Sequence, residues 1–179
     1  MSTEKSSFVQ EFEKKYVARL KDREFDFNVL SFQEKVDPKY RRAQIRYIGG
    51  GGTGMHNDQN VIKAEGFTLS TMLLPPGSEG PLHLHHDVEE VFFVIKGKAI
   101  ALIQEKDGEE VYEIPLDTRD CISTPPGVYR GIKNHTDEEA LFLVMIGTKK
   151  PQLPTYHEGS ELEKIRIERQ KAKAAAANK

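Results

Sequence analysis

Tryptophan is absent from this chain, and a single cysteine, Cys121, is present. One cysteine excludes an intrachain disulfide and fits a reducing compartment, so a cytoplasmic protein is expected. Cys121 itself reads as a small core residue on a strand rather than a reactive thiol. Net charge is also lacking, because 26 Lys and Arg against 28 Asp and Glu leave −2. That balance supplies no electrostatic footprint for nucleic acid or an anionic membrane. No apolar run approaches the ~20 residues of a membrane span. The opening Met1-Ser2-Thr3-Glu4-Lys5 has no apolar signal segment. What the chain does have is 179 residues, enough for one domain with a buried core.

Apolar residues first recur with a helical period. Phe8, Phe12, Tyr16 and Leu20 fall every four residues, widened by Val9 and Val17, which predicts an amphipathic helix over 1–22. Ser7 and Gln10 have the spacing of a capping box. Such a helix needs a surface to cover, either the rest of the fold or a second subunit. Residues 23–40 carry no clear period, and 43–48 reads as a strand. The run from Gly49 to Gly54 is followed by Asn57-Asp58-Gln59-Asn60. A phosphate cradle needs a helix after the glycines, whereas Asn and Asp favour loops. A flap is therefore expected here, with His56 on it beside a bound substrate.

From 67 to 147 every signal is β. Strands are expected over 67–74, 82–86, 90–95, 99–104, 111–114, 119–124, 128–134 and 140–146. They are short, evenly spaced and separated by turn residues such as Gly97, Asp107-Gly108 and two Pro-Pro-Gly triplets. That rhythm predicts a sandwich or barrel rather than a parallel α/β fold. A last helix is expected over 161–176, capped by Ser160 and Glu163, with Leu162 and Ile165 as a narrow apolar edge.

The chemistry concentrates between Gly77 and Gly97. On a strand His83 and His85 share a face and Leu84 points away. Glu90 begins the next strand and shares a face with Phe92 and Val94. Two imidazoles and a carboxylate on facing strands suit a divalent metal. The bland alternative is a hydrogen-bonded cluster inside a polar barrel. By parity His86, Glu89 and Tyr129 point away from this face, and His135 and His157 fall in solvated loops.

These residues resemble the first motif of the cupin superfamily: Gly, five residues, His-x-His, four residues, Glu, six residues, Gly. Gly77, His83, His85, Glu90 and Gly97 fill it. The second motif is matched at Pro125, Gly127 and Asn134. It departs from the pattern at Arg119, where a glycine is usual, and at Arg130, where the fourth metal-binding histidine is usual. The resemblance implies an all-β double-stranded β-helix, or jelly-roll barrel, over 67–147. It would carry an N-terminal helical extension (1–66) and a C-terminal tail and helix (148–179). The fold hosts enzymes and binders alike.

Taken with the resemblance, His83, His85 and Glu90 form a facial triad that leaves coordination positions open and suits non-haem Fe(II) oxygen chemistry. Mn(II), Zn(II) and Ni(II) also fit one such site per chain. Arg130 cannot ligate and stays charged. Near a divalent ion it is repelled by about 4 kcal/mol per unit of metal charge at ~4 Å and an effective dielectric near ~20. Three placements are open: a bidentate clamp for an anionic substrate, an ion pair with Glu90 that replaces the metal, or an outward surface arginine. Phe92 and Met72 are expected to wall the substrate, with Val94 and Ala101 as further candidates. The expected function is a metal-dependent dioxygenase acting on a small anionic acid or phenol, with Arg130 taking part in catalysis. A non-catalytic binder and a metal-free isomerase or cyclase are the alternatives. A homodimer is expected, with no nucleic-acid or membrane partner.

Overall fold

The computed structural model of the chain describes residues 6–51 and 60–177. Nine strands among them run β1 (Ala43–Ile48), β2 (Thr68–Leu74), β3 (Glu79–Leu84), β4 (Glu90–Lys96), β5 (Ala99–Gln104), β6 (Val111–Leu116), β7 (Cys121–Thr124), β8 (Tyr129–Lys133) and β9 (Ala140–Ile146). They form two antiparallel sheets, ordered β1-β2-β9-β4-β7 and β3-β8-β5-β6. This is the expected jelly-roll, with helices α1 (Ser7–Tyr16), α2 (Ser31–Glu34) and α3 (Glu161–Ala177) outside it.

Register places the site. In β2, Thr68, Ser70, Met72 and Leu74 are buried and the residues between them are not. Cross-strand partners in an antiparallel sheet share a face, so each buried residue starts a row across the larger sheet. One row is Thr68, Ile146, Glu90 and Thr124; the next is Ser70, Val144, Phe92 and Ile122. Further along come Met72, Phe142 and Val94, then Leu74 with Ala140. The rows grade from polar to apolar. The apolar end packs against Ala99, Ala101, Leu116 and Ile132 of the second sheet. Phe142 has no exposed surface and meets Phe92 edge to face at 6.3 Å. Burying a side chain of this size contributes roughly 2–3 kcal/mol.

Two turns show how the strands are joined. Gly97 turns β4 into β5 at φ +85°, and a Cβ there would lie 3.0 Å from the Glu139 carbonyl oxygen. Arg119 sits at φ +77°, the only non-glycine residue in the left-handed region among the described residues. The backbone thus keeps the conformation of the glycine usual there. It is held by Arg119 N–H donating to Val94 O and Asp120 N–H to Asp117 O. That turn delays β7 until Cys121.

Several expectations need correction. The first helix ends at Tyr16, because the chain turns extended at Val17, and a short 3-10 turn holds Leu20–Asp22. Its cap is Ser6, whose Oγ accepts from Val9 N–H, and Ser7 is already helical. None of its residues is buried, and the rings of Phe8, Phe12 and Tyr16 meet in tilted pairs on an exposed face. Cys121 is exposed, because in β7 it is Ile122 that packs on the core. β3 starts at Glu79, earlier than expected, with an irregularity between Gly80 and His83 that accommodates Pro81. In α3 the expected cap holds on one side, Ser160 Oγ accepting from Glu163 N–H. Glu163 itself accepts from Tyr156 N–H and from Arg166. No helix among the described residues is long and apolar enough to cross a membrane.

The flanks are not loose. Asp26 bridges Gln44, and Leu84 and Thr155 exchange backbone hydrogen bonds of 2.8 and 3.0 Å. Gln33 of α2 donates to the Tyr156 hydroxyl, and Arg169 of α3 lies over the Phe32 ring at 4.1 Å. Residues 30–33 and 153–169 thereby contribute walls to the barrel cavity.

Candidate metal centre

His83 ends β3 with Leu84, His85 follows directly, and Glu90 opens β4. The short connection folds back so that all three meet at the polar end of the rows described above. His83 Nε2 lies 3.2 Å and His85 Nε2 3.7 Å from the same Glu90 oxygen, Oε2. One ligand atom from each residue falls within 4.8 Å of the others. The imidazole rings stand edge to face, 5.2 Å apart. His85 and Glu90 are buried and His83 nearly so.

The donor set fits a divalent cation. Pro81 O can only accept, so His83 Nδ1–H donates to it at 2.9 Å. That fixes the ring and turns Nε2 toward Glu90, in the arrangement common for metal-binding histidines. Between Nε2 and the carboxylate there must then lie either a second proton or a cation. His85 Nδ1 is buried without a partner, so it can hold that ring's proton and leave Nε2 free to ligate.

Electrostatics point the same way. Burial drives the His85 imidazole down from 6.5 to about 4, against the pull of Glu90, so it is neutral at pH 7. Burial pushes Glu90 up, but the His83 hydrogen bond and the charges of His83, His85 and Arg130 outweigh it and hold the carboxyl at about 2. A neutral imidazole and an ionised carboxylate are the forms that bind metal.

The pKa of His85 makes a stability prediction with a definite sign. Between pH 6.5 and 4 the unfolded chain holds the His85 proton and the folded chain does not, so acid favours unfolding. Chelator-treated protein is expected to lose about 3 kcal/mol of stability from this group as pH falls through that window. Glu90, also depressed, adds to the loss below pH 4.5. Denaturant titrations at several pH values check this, and His85→Leu should flatten the upper part of the slope.

Beside the triad opens a cavity of about 100 Å³. Met72 and Phe92 line it, whereas Val94 and Ala101 belong to the core behind it. His56 lies outside the described residues. Arg130 is the main revision. It stands opposite His83 in the β3–β8 register and is 1% exposed, which removes the outward placement. Its guanidinium donates to the carbonyls of Thr124 (3.3 Å) and Pro125, with Nε and Nη1 buried and unpartnered. It makes no ion pair with Glu90 within 4.0 Å and is not among the residues lining the cavity. A replacing ion pair with Glu90 does not describe it, and the side chain is drawn to the Thr124–Pro125 turn. Its charge acts over a distance, favouring ionised Glu90 and neutral His85.

Residues of opposite parity behave accordingly. His86 is exposed and bonds Thr155 Oγ1, exposed Glu89 accepts from the Ser123 hydroxyl, and His135 is exposed. His157 is not free in solvent but stacks on Tyr129 at 4.2 Å. Among the cavity residues that the sequence reading missed are Arg42, Gln33 and Tyr156. The alternation Arg42, Ala43, Gln44, Ile45, Arg46 was a usable signal, since apolar and polar residues separate by face. Ordinary reading sends the polar face to water. Pairing of Gln44 with Met72 and of Arg46 with Ser70 instead turns it inward, toward the barrel mouth.

Known proteins agree on the architecture. A family model described as Cupin domain matches residues 70–146. Auxin-binding protein 1 of Arabidopsis thaliana is 26% identical over 121 residues, 66% of this chain and 58% of its own length. The chain thus spans less than two thirds of that relative. A structure of CapF with the inhibitor 3-isopropenyl-tropolone matches at a TM-score of 0.50 and 17% identity, covering 70% of this chain and 30% of that one. An oxalate oxidase structure matches at 0.48 and 18%, covering 62% and 53%. At such identities structural likeness speaks for the fold alone. The family match spans β2 from Ser70 to the end of β9 and contains the whole His83–His85–Glu90 cluster, and on that ground residues 70–146 are a cupin domain.

Proposed function

We propose that this chain is a metal-dependent cupin enzyme that holds one divalent ion on His83, His85 and Glu90, Fe(II) first among Mn(II), Zn(II) and Ni(II). Its reaction would be an oxygenase reaction on a small organic acid or phenol. The observation that carries this is the convergence of three ligand atoms, two of them from buried residues, on the wall of a cavity. Three protein ligands leave room for substrate and dioxygen together, and a bound Fe(II) would supply the redox chemistry. The chain's own residues prepare the site. Arg130 favours an ionised Glu90, Pro81 O orients His83, and Phe92 and Met72 exclude water from the substrate side. The likeness to an auxin-binding protein supports a second reading from another class, a barrel that holds a small organic ligand without turnover. Oxygen uptake by Fe(II)-loaded protein with a panel of aromatic and aliphatic acids separates the two. Stoichiometric metal with substrate-dependent uptake supports the enzyme. Ligand binding with no uptake for any metal overturns it in favour of the binder.

We also propose a homodimer in which α1 packs on a second copy. Phe8, Phe12 and Tyr16 form an exposed aromatic row, and Tyr112 and Ile114 on one face of β6 leave a second exposed apolar surface on the same chain. Two uncovered apolar faces on one chain suit mutual burial between copies. Light scattering at micromolar protein should report twice the chain mass, and Phe12→Glu should shift it toward the monomer. A wild-type monomer would contradict this.

A further inference from the structure

Arg42 lies just before β1 and is 7% exposed. Its Nη1 donates to the Tyr40 carbonyl at 3.2 Å, and no carboxylate approaches its guanidinium within 4.0 Å among the described residues. A buried guanidinium without a counter-ion is costly, and proteins retain one where something anionic completes it. Burial lowers its pKa to about 10, against the pull of Tyr156, Glu90 and Tyr40, so it stays charged at neutral pH.

Its position says where the missing anion belongs. Arg42 lines the same cavity as His83, His85 and Glu90. Its guanidinium carbon is 3.8 Å from where a Cβ on Gly80 would stand, so it lies over β3, the strand that carries His83. A side chain at position 80 would crowd that space. The other arginines on the cavity wall are engaged. Arg166 is paired bidentately with Glu163 at 2.6 and 2.8 Å, and Arg169 lies on the Phe32 ring. Most of the remaining wall is apolar, from Leu30, Phe32, Met72, Phe92, Ile132 and Val144.

We propose that Arg42 is the anion-recognising residue of the cavity and that the ligand is a small organic monocarboxylate. The carboxylate takes the guanidinium fork, and the apolar body lies against the wall between Arg42 and the triad. One uncompensated guanidinium matches the charge and planar geometry of a carboxylate. A phosphate dianion would leave charge unmatched. The assignment rests on the cavity being a ligand site, as proposed above, but not on a metal being present.

Calorimetric titration of the full chain tests it, with benzoate, its neutral isostere benzamide, acetate and inorganic phosphate as probes. Wild type is expected to bind benzoate about tenfold or more tightly than benzamide. Arg42→Met should weaken benzoate by a similar factor and leave benzamide unchanged, with Arg42→Lys between them. Chelator-treated wild type should keep the benzoate preference. No metal in wild type before chelation, with that preference intact, would sink the metal reading and leave this assignment standing. Equal affinity of wild type for benzoate and benzamide would overturn it. So would tighter binding of phosphate, wild-type benzoate affinity in Arg42→Met, loss of benzoate binding after chelation, or no binding of benzoate or acetate at millimolar concentration. Should Arg42→Met fail to fold, the wild-type isostere comparison and Arg42→Lys still decide.

Discussion

His85→Ala is expected to retain the fold and lose metal affinity by more than about a hundredfold, the largest single effect in the molecule. The imidazole it removes is buried, neutral at pH 7 and one of only three protein ligands in the cluster. Two remaining ligands cannot hold a divalent ion against water at ordinary concentrations. Glu90→Gln should match it, since a neutral amide replaces a carboxylate held ionised by its surroundings. The fold should survive because the core row of Phe142, Met72 and Val94 lies at the other end of the strands. Metal analysis after dialysis, with circular dichroism as a fold control, checks both variants. Equal metal in wild type, His85→Ala and Glu90→Gln would mean that the cluster is a hydrogen-bonded structural element.

Arg130→His carries the second large effect, in the opposite direction. Position 130 faces His83 across the β3–β8 pair, the corner from which a fourth ligand would reach. The substitution removes a positive charge near the ion and adds an imidazole, so metal should bind at least about tenfold more tightly. Turnover should fall, because one open coordination position is filled. Arg130→Met separates the two causes, since it removes the charge without adding a ligand. It should also let the Glu90 pKa rise, because the guanidinium now helps to hold it down. Metal affinity by competition with a chelator, alongside turnover, reads all three proteins. Unchanged affinity in both variants would show that the Arg130 charge is not felt at the triad.

Local chemistry with short range was legible in the chain. The strand run from 67 to 147 could be read because turn glycines and prolines break it at regular intervals and apolar residues alternate between the breaks. His83, His85 and Glu90 could be singled out because period-two parity and one short connection suffice to bring them together. Even the departure at Arg119 proved interpretable, since a left-handed backbone needs no glycine when neighbouring hydrogen bonds hold it. What parity could not say was which face of β1 meets water, or how long α1 remains helical once no core surface covers it.

The sequence by itself determined the barrel, its motif-bearing strands and the three metal-type residues, because those depend on spacings of a few residues. Only the tertiary structure decided the fate of the two arginines. Arg130 follows the expected inward parity, yet the carbonyls of Thr124 and Pro125 draw it off the cavity. Arg42, in a run of basic residues that reads as surface, is carried inside by the pairing of β1 with β2, strands separated by a long glycine-rich connection. Where a long side chain ends is set by partners distant in the chain, and a charge takes its meaning from what is buried around it.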